Sequence, residues 1–400
     1  MFTYVNNHMR TFVLLMTQAS EIERLYKAVK VANFDQRYTP PEALNDLIEF
    51  SKSKGIFTAL GRSTQGREIG YVELGTGHFK VLAWSQMHGD ESTSTRALVD
   101  LFYFLNQTDF QPDLVHSILS YCRLRIIFQL NPDGSYAYTR ENAIGFDLNR
   151  DARDQVHVES KILTELVQEF GPDLCLNCHD QRSLYSLDWS INPPFISFLA
   201  PAADEELSLT EARSKAMEHI SCAVHFLRDM GFEAIGRYDE SYCANCFGDH
   251  FQSKGIPTVL IESGHLVGDQ QREQSRYIVF LALLGILENN PDSKRSLVDV
   301  VNIYNAIPEN RNMLRDVVLK NVRYGGKIVD VGIQNRLVLV QGALKSEAYV
   351  HDIVPAGTIM GYQNYDAESH EILINSHEND FEDKIIVSIL LKKSDLLIKI

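Results

Sequence analysis

The protein has 400 residues, 44% of them hydrophobic and 23% charged, enough apolar side chain to bury a sizeable core, which excludes a disordered, collagen-like or disulfide-knot chain. Lys+Arg 38 against Asp+Glu 53 leaves a net charge of −15, a field that repels phosphate backbones and anionic bilayers, so neither nucleic acid nor membrane is an expected partner. Six cysteines are too few for a disulfide scaffold and fit a cytoplasmic setting in which buried free thiols are the expected state.

In chain order, the apolar stretch Thr11 to Met16 after Arg10 is shorter than a secretory core and is followed by no small-residue cleavage site. Residues 20–33 and 41–53 carry helical periodicity, the second segment opening at Pro40-Pro41, where proline suits a first turn. They predict a helical cap over 1–54. From about residue 69 short β-rich runs (Ile69–Leu74, Val81–Ser85, Leu124–Leu130, Leu174–Cys178, Phe195–Leu199, Thr258–Ile261) alternate with helical stretches near 93–106, 157–170 and 204–231, an α/β signature. The run Leu124 to Phe128 is apolar on both faces, as expected of strands covered by helices on two sides. The apolar run Tyr277 to Leu287 is about half of a membrane span and predicts a buried helix. Residues 55–290 are thus the expected catalytic domain. Beyond Asn289-Asn290-Pro291 a linker leads to a small β-rich domain within 291–400, with separate strands expected at Val317–Leu319, Lys327–Val329, Leu337–Val340 and Ile385–Leu391.

Chemistry concentrates where predicted strands end, which is where open α/β sheets place ligands. His88-Gly89-Asp90-Glu91 puts an imidazole and a carboxylate three residues apart across a tight turn, both of them good zinc ligands. Asn131-Pro132-Asp133-Gly134 follows a strong strand, then come Arg140 and Asp147-Leu148-Asn149-Arg150. His179 ends another strand, and Glu262 ends a third. The apolar neighbours Leu260 and Ile261 imply a carboxyl pKa raised toward a useful value.

In this order the motifs resemble the M14 zinc carboxypeptidases over about residues 55 to 290, leaving the carboxyl-terminal segment unexplained. The resemblance implies a mixed, mostly parallel eight-stranded sheet with helices on both faces. It also implies one Zn²⁺ per chain held by His88, Glu91 and His179, with a fourth position for water. Glu262 would be the general base for the zinc-bound water, and Arg140 would stabilise the oxyanion. Asn149 and Arg150 would hold the substrate's terminal carboxylate, and Asp147 would fix the tautomer of a histidine ligand. Tyr242, in preference to Tyr238, would be the mobile tyrosine. The expected reaction is removal of a carboxy-terminal amino acid from a peptide. Alternatives are an N-acyl amino acid hydrolase of the aspartoacylase or succinylglutamate desuccinylase type, a muropeptide hydrolase, and a catalytically silent peptide-binding protein.

Departures from the family bear on specificity. Asp151 stands where digestive members carry asparagine, and acidity from Asp147, Asp151 and Asp154 would favour a cationic substrate end. Cys175-x-x-Cys178-His179 spells a haem-attachment pattern, and Cys175/Cys178 with Cys243/Cys246 would suit a four-thiolate zinc site. Against both, Cys175 and Cys178 on one strand point to opposite faces. His351, His370 and His377 lack convergent spacing, and the tail's role and the oligomeric state stay open.

Overall fold

The computed structural model describes residues 22–106, 112–288, 296–376, 386–391 and 396–398; the Thr11–Met16 stretch, the expected boundary at 290–291 and His377 lie outside them. The described chain divides into two units. One runs to Asp180 and resumes from Phe195 to Pro308; the other comprises Gln181–Pro194 and the chain from Glu309 onward.

The first unit opens with helix α1 (residues 22–29) and α2 (Asn45–Ser53). Strands β1 (Phe57–Arg62), β2 (Glu68–Leu74) and β3 (Phe79–Trp84) lead to α3 (Thr93–Asn106) and α4 (Pro112–Tyr121). Next come β4 (Cys122–Ile127), α5 (Pro132–Ala137), α6 (Val158–Phe170) and β5 (Leu174–Asp180). The chain then contributes β6 (Tyr185–Leu187) to the second unit before returning through β7 (Ile196–Leu199), α7 (Glu211–Asp229), β8 (Ile235–Arg237), α8 (Phe247–Ser253) and β9 (Thr258–Ser263). Helices α9 (Glu273–Leu287) and α10 (Leu297–Asn305) complete the unit.

Eight strands form one mixed sheet in the order β1-β2-β4-β3-β5-β9-β7-β8. Its centre, β4-β3-β5-β9, is parallel, so the strand ends carrying the sequence motifs share one edge. Residues of β5 and β9 are buried throughout, as a sheet covered on both faces requires. Alternation sorts them into two cores. Val81, Ala83, Leu176 and Cys178 pack with α3, α7 and α9, whereas Leu82, Trp84 and Cys175 pack with α6 and α8. Cys175 and Cys178 therefore face opposite sides as free buried thiols, and burial pushes both well above the usual thiol pKa.

The apolar run read at 277–287 lies within α9, which is buried almost all round, a pattern that places a helix inside the core. It approaches α7 closely at Gly285, where a Cβ would stand 2.7 Å from Phe226 Cβ. Helix α7 starts later than its periodicity suggested, because Thr210 Oγ1 accepts the Arg213 N–H and caps it. No helix among the described residues is long and apolar enough to cross a membrane.

In the second unit β6 pairs with β10 (Asn310–Asn312). Strands β11 (Leu314–Tyr324), β12 (Lys327–Val340), β13 (Ala343–Pro355) and β14 (Met360–Asp366) form a sheet in the order β13-β12-β11-β14. A three-stranded sheet of β15 (Ile372–Ser376), β16 (Ile386–Leu391) and β17 (Leu396–Ile398) follows. The two strands expected at 327–329 and 337–340 are one. The polar stretch Gln334-Asn335-Arg336 continues the ladder with β13, which a two-residue turn at Gln341-Gly342 (φ 52 and 81) joins to β12.

Candidate active site

Strand β3 delivers its chain to a tight turn, Gln86 to Glu91, before α3 begins at Thr93. The Asn-Pro-Asp-Gly segment buttresses that turn. A Cβ at Gly89 would lie 1.9 Å from the Gly134 carbonyl carbon, so only glycine permits the two backbones to meet. Asn131 binds the pieces together: its Oδ1 accepts the Gly134 N–H at 2.9 Å and caps α5, and its Nδ2 donates to the carbonyls of Met87 and Glu141 at 3.2 and 3.1 Å. Pro132 occupies the first turn of α5, where its missing N–H costs nothing.

His88, Glu91 and His179 converge, one nitrogen or oxygen of each lying within 4.8 Å of the others. His88 Nδ1 is 2.9 Å from Glu91 Oε1, His179 Nδ1 is 2.9 Å from Glu91 Oε2, and the two Nδ1 atoms are 3.2 Å apart. Neighbouring ligand atoms around a tetrahedral zinc with bonds of about 2.05 Å are separated by about 3.3 Å. Two imidazole lone pairs facing each other beside a carboxylate demand a cation or a shared proton between them, so the donor set fits Zn²⁺. The outer nitrogens differ. His88 Nε2 bonds Asp147 Oδ1 at 3.0 Å, while His179 Nε2 is buried with no hydrogen-bond partner among the described residues.

Asp147 is the hub of the motif that follows. Its Oδ1 also accepts the Asn149 N–H at 2.9 Å, and its Oδ2 accepts Arg140 Nε and a terminal guanidinium nitrogen at 3.2 and 3.0 Å. Another guanidinium nitrogen of Arg140 reaches Glu91 Oε1 at 3.3 Å and lies 3.1 Å from His88 Nδ1. Burial disfavours the His88 imidazolium, but the charge of Glu91 and the bonds to Asp147 and Glu91 outweigh it and push the pKa up to about 9. At His179 burial prevails over Glu91 and lowers the pKa. Glu91 is held well below the usual carboxylate range despite its burial, because His88 and His179 face it. Asp147 is likewise lowered against burial, by His88 and Arg140.

Glu262 stands on β9 directly beside His179 on β5. Burial, then the nearby Glu91 charge, raises its pKa well above the ordinary value, the direction its apolar neighbours implied. Asn149 and Arg150 lie in a short 3-10 turn, Leu148–Arg150, capped by Asp147. Asn149 Oδ1 accepts the Phe247 N–H at 2.9 Å, and exposed Arg150 donates to Cys246 Sγ at 3.1 Å. Cys246 forms a disulfide with Cys243, so this pair departs from the free thiols expected. A four-thiolate site is thereby excluded for these cysteines, the second pair being bonded and the first split across the sheet. Tyr242 is half-buried in the loop before that bridge. Asp151 does not add acidity to a pocket: it is buried and both oxygens accept backbone N–H groups, from Val156 and His157.

Parallel strand ends that gather two imidazoles, a low-pKa carboxylate and a high-pKa carboxylate define a metal-binding α/β scaffold. The Zinc carboxypeptidase family model, M14, matches residues 50–175, a span that includes His88, Glu91, Arg140, Asp147, Asn149 and Arg150 and stops short of His179 and Glu262. Over that span the chain is similar to the M14 zinc carboxypeptidases, and the first unit has the fold of solved metallo-carboxypeptidases. Carboxypeptidase M of Mus musculus is 29% identical over 147 residues, 31% of this chain and 32% of its own length, so the chain spans about a third of that relative. Among solved structures, a metallo-carboxypeptidase from Burkholderia cenocepacia is similar with a TM-score of 0.50 at 20% identity, over 63% of this chain and 69% of its own. The carboxypeptidase A from Helicoverpa armigera has a TM-score of 0.50 at 15% identity, over 72% and 82%.

Proposed function

We propose that the protein is a zinc-dependent carboxypeptidase that hydrolyses the last peptide bond of a substrate with a free terminal carboxylate. The observation that carries this reading is the meeting of His88 Nδ1, His179 Nδ1 and the Glu91 carboxylate beside Glu262, the one buried carboxyl of the set whose pKa rises. His88, Glu91 and His179 would hold the ion, which supplies a Lewis acid for the scissile carbonyl and lowers the pKa of water. Glu262 takes a proton from the attacking water on its carboxylate and passes it to the departing amine; a raised pKa suits both transfers. Arg140, fixed by Asp147, presents a permanent cation toward the oxygen that gains charge. Arg150, exposed, and Asn149, tethered to α8, receive the terminal carboxylate. Tyr242, in the loop before the Cys243–Cys246 bridge, would be the mobile tyrosine.

The family match covering the Arg140 to Arg150 motif supports peptides over N-acyl amino acids. We place the protein in the cytoplasm, where the Cys243–Cys246 bridge would be open at rest. The deciding experiment incubates zinc-loaded protein with a peptide, with the same peptide amidated at its carboxyl end, and with N-acyl amino acids. Cleavage of the free peptide alone supports the proposal. Turnover confined to N-acyl amino acids overturns it in favour of the amidohydrolase, and tight peptide binding without turnover favours the silent binder.

A further inference from the structure

Three residues follow the site residues closely in sequence: Thr93 opens α3 two positions after Glu91, Asp180 follows His179 at the end of β5, and Ser263 follows Glu262 at the end of β9. One guanidinium gathers all three. Arg272 Nε donates to Thr93 Oγ1 at 2.6 Å, and a terminal nitrogen donates to both the carbonyl and the hydroxyl of Ser263 at 2.9 Å each. Asp180 Oδ2, which also accepts the Thr93 N–H at 3.0 Å, lies 3.7 Å from Arg272 Nε.

Arg272 is only 3% exposed, and its φ of 58 places it in the left-handed region at the start of α9. A non-glycine residue holds that conformation only where its surroundings impose it, and such positions cluster at functional sites. The turn is anchored from behind. Arg272 N–H donates to the Asp269 carbonyl, and the Asp269 carboxylate accepts the N–H groups of Glu273 and Ser275. The fork is thus fixed at its base and aimed inward under the strand ends.

We propose that Arg272 is a positioning residue for the site, setting the spacing between Glu91, His179 and Glu262 through the residues that follow them; this rests on the zinc-hydrolase reading above. A planar guanidinium with several directional donors can register three chain segments at once, which an ammonium cannot. Without it the ends of β5, β9 and the turn before α3 relax separately, and a displacement of about 1 Å between catalytic groups costs on the order of 10²-fold in rate.

The test uses Arg272→Gly, because glycine keeps the left-handed backbone without strain while removing the side chain. The zinc dissociation constant, measured by chelator competition, should rise about 10- to 100-fold, the range found when groups supporting metal ligands are lost. The kcat should fall at least about tenfold with KM within about twofold of wild type, because the fault lies in the reacting groups and not in substrate binding. Added ethylguanidinium should restore part of both. Arg272→Lys, which keeps charge and much of the packing, should fall between; it decides the matter if the glycine variant does not fold. A zinc dissociation constant and kcat within about twofold of wild type in the folded variant overturn the proposal. Wild type that holds zinc yet cleaves no peptide sinks the carboxypeptidase reading alone, since the ratio of zinc affinities still reports on Arg272.

Discussion

His179 and Glu262 are direct partners in the register of two adjoining parallel strands, β5 and β9. Parallel neighbours project side chains to the same face at the same level, so the imidazole proposed to bind zinc and the carboxyl proposed as base are fixed beside each other by the sheet ladder itself. Replacing Glu262 by Gln preserves shape and removes the proton acceptor. The expected result is a kcat lower by about 10²- to 10⁴-fold with zinc content and peptide affinity retained, checked by single-turnover kinetics and elemental mass spectrometry. Unchanged turnover would falsify the assignment of the base.

Removing His179 acts on the ion instead. Wild type should carry about one zinc per chain, and His179→Ala nearly none after dialysis, with loss of the stabilisation that binding to the native state alone provides, about 4 kcal/mol when zinc stands a thousandfold above its dissociation constant. Thermal melts of both proteins with and without added zinc measure this. A zinc-dependent melting shift in the alanine variant equal to that of wild type places the ion elsewhere.

Arg150→Met should separate binding from chemistry. Losing a charge-assisted pair to the substrate carboxylate costs about 1.5 to 3 kcal/mol, or about 10- to 100-fold in KM, with kcat held near wild type. A kcat that collapses while KM stays put assigns Arg150 a different role.

The disulfide lies in the path of the same interaction, because Arg150 leans on Cys246 and Asn149 on the next residue, Phe247. Reduction, or Cys243→Ser, should raise KM by a few-fold, on the scale of one weakened hydrogen bond, and leave kcat and zinc content alone. Peptide titration before and after mild thiol treatment gives the answer; an unaltered KM means that the bridge only staples its own loop.

Acid sensitivity has an origin far from the site. Burial lowers the His219 pKa from 6.5 to about 4. Between those values the unfolded chain takes up a proton that the folded chain refuses, so this contribution is full above pH 6.5 and declines as pH falls toward 4. The loss between pH 7 and 5 is about 2 kcal/mol. His265, also lowered to about 4 by burial, acts in the same sense. Urea titrations at both pH values should show His219→Gln losing less than wild type.

What could be read from the chain follows physical strength of signal. β4, β5 and β9 are rich in apolar residues and buried almost throughout on both faces, and they stood out, as did α9. β1 did not: its side chains are half-buried or exposed at the sheet edge, and a register shift falls between Ala59 and Gly61. β8 is three residues long and α8 seven, too short for either period to register. The convergence of His88, Glu91 and His179 on one candidate metal site was legible because their chemistry recurs in ordered motifs. Arg272 was not, since it lies in a loop ten residues beyond Glu262 and its task depends on contacts that only the fold creates. The tie made by Asn131 was half legible, its motif visible and its mechanical part hidden.

The backbone contact between Gly89 and Gly134 carries a lesson for engineering. Two turns that touch main chain to main chain cannot be exchanged independently: a loop taken from a distant homologue and grafted at 86–91 brings its own curvature and meets the original 131–134 turn as a steric misfit. Chimeras of this domain should therefore cross over outside both turns or transplant them as a pair, and directed evolution should find each turn almost immutable while its counterpart stays fixed.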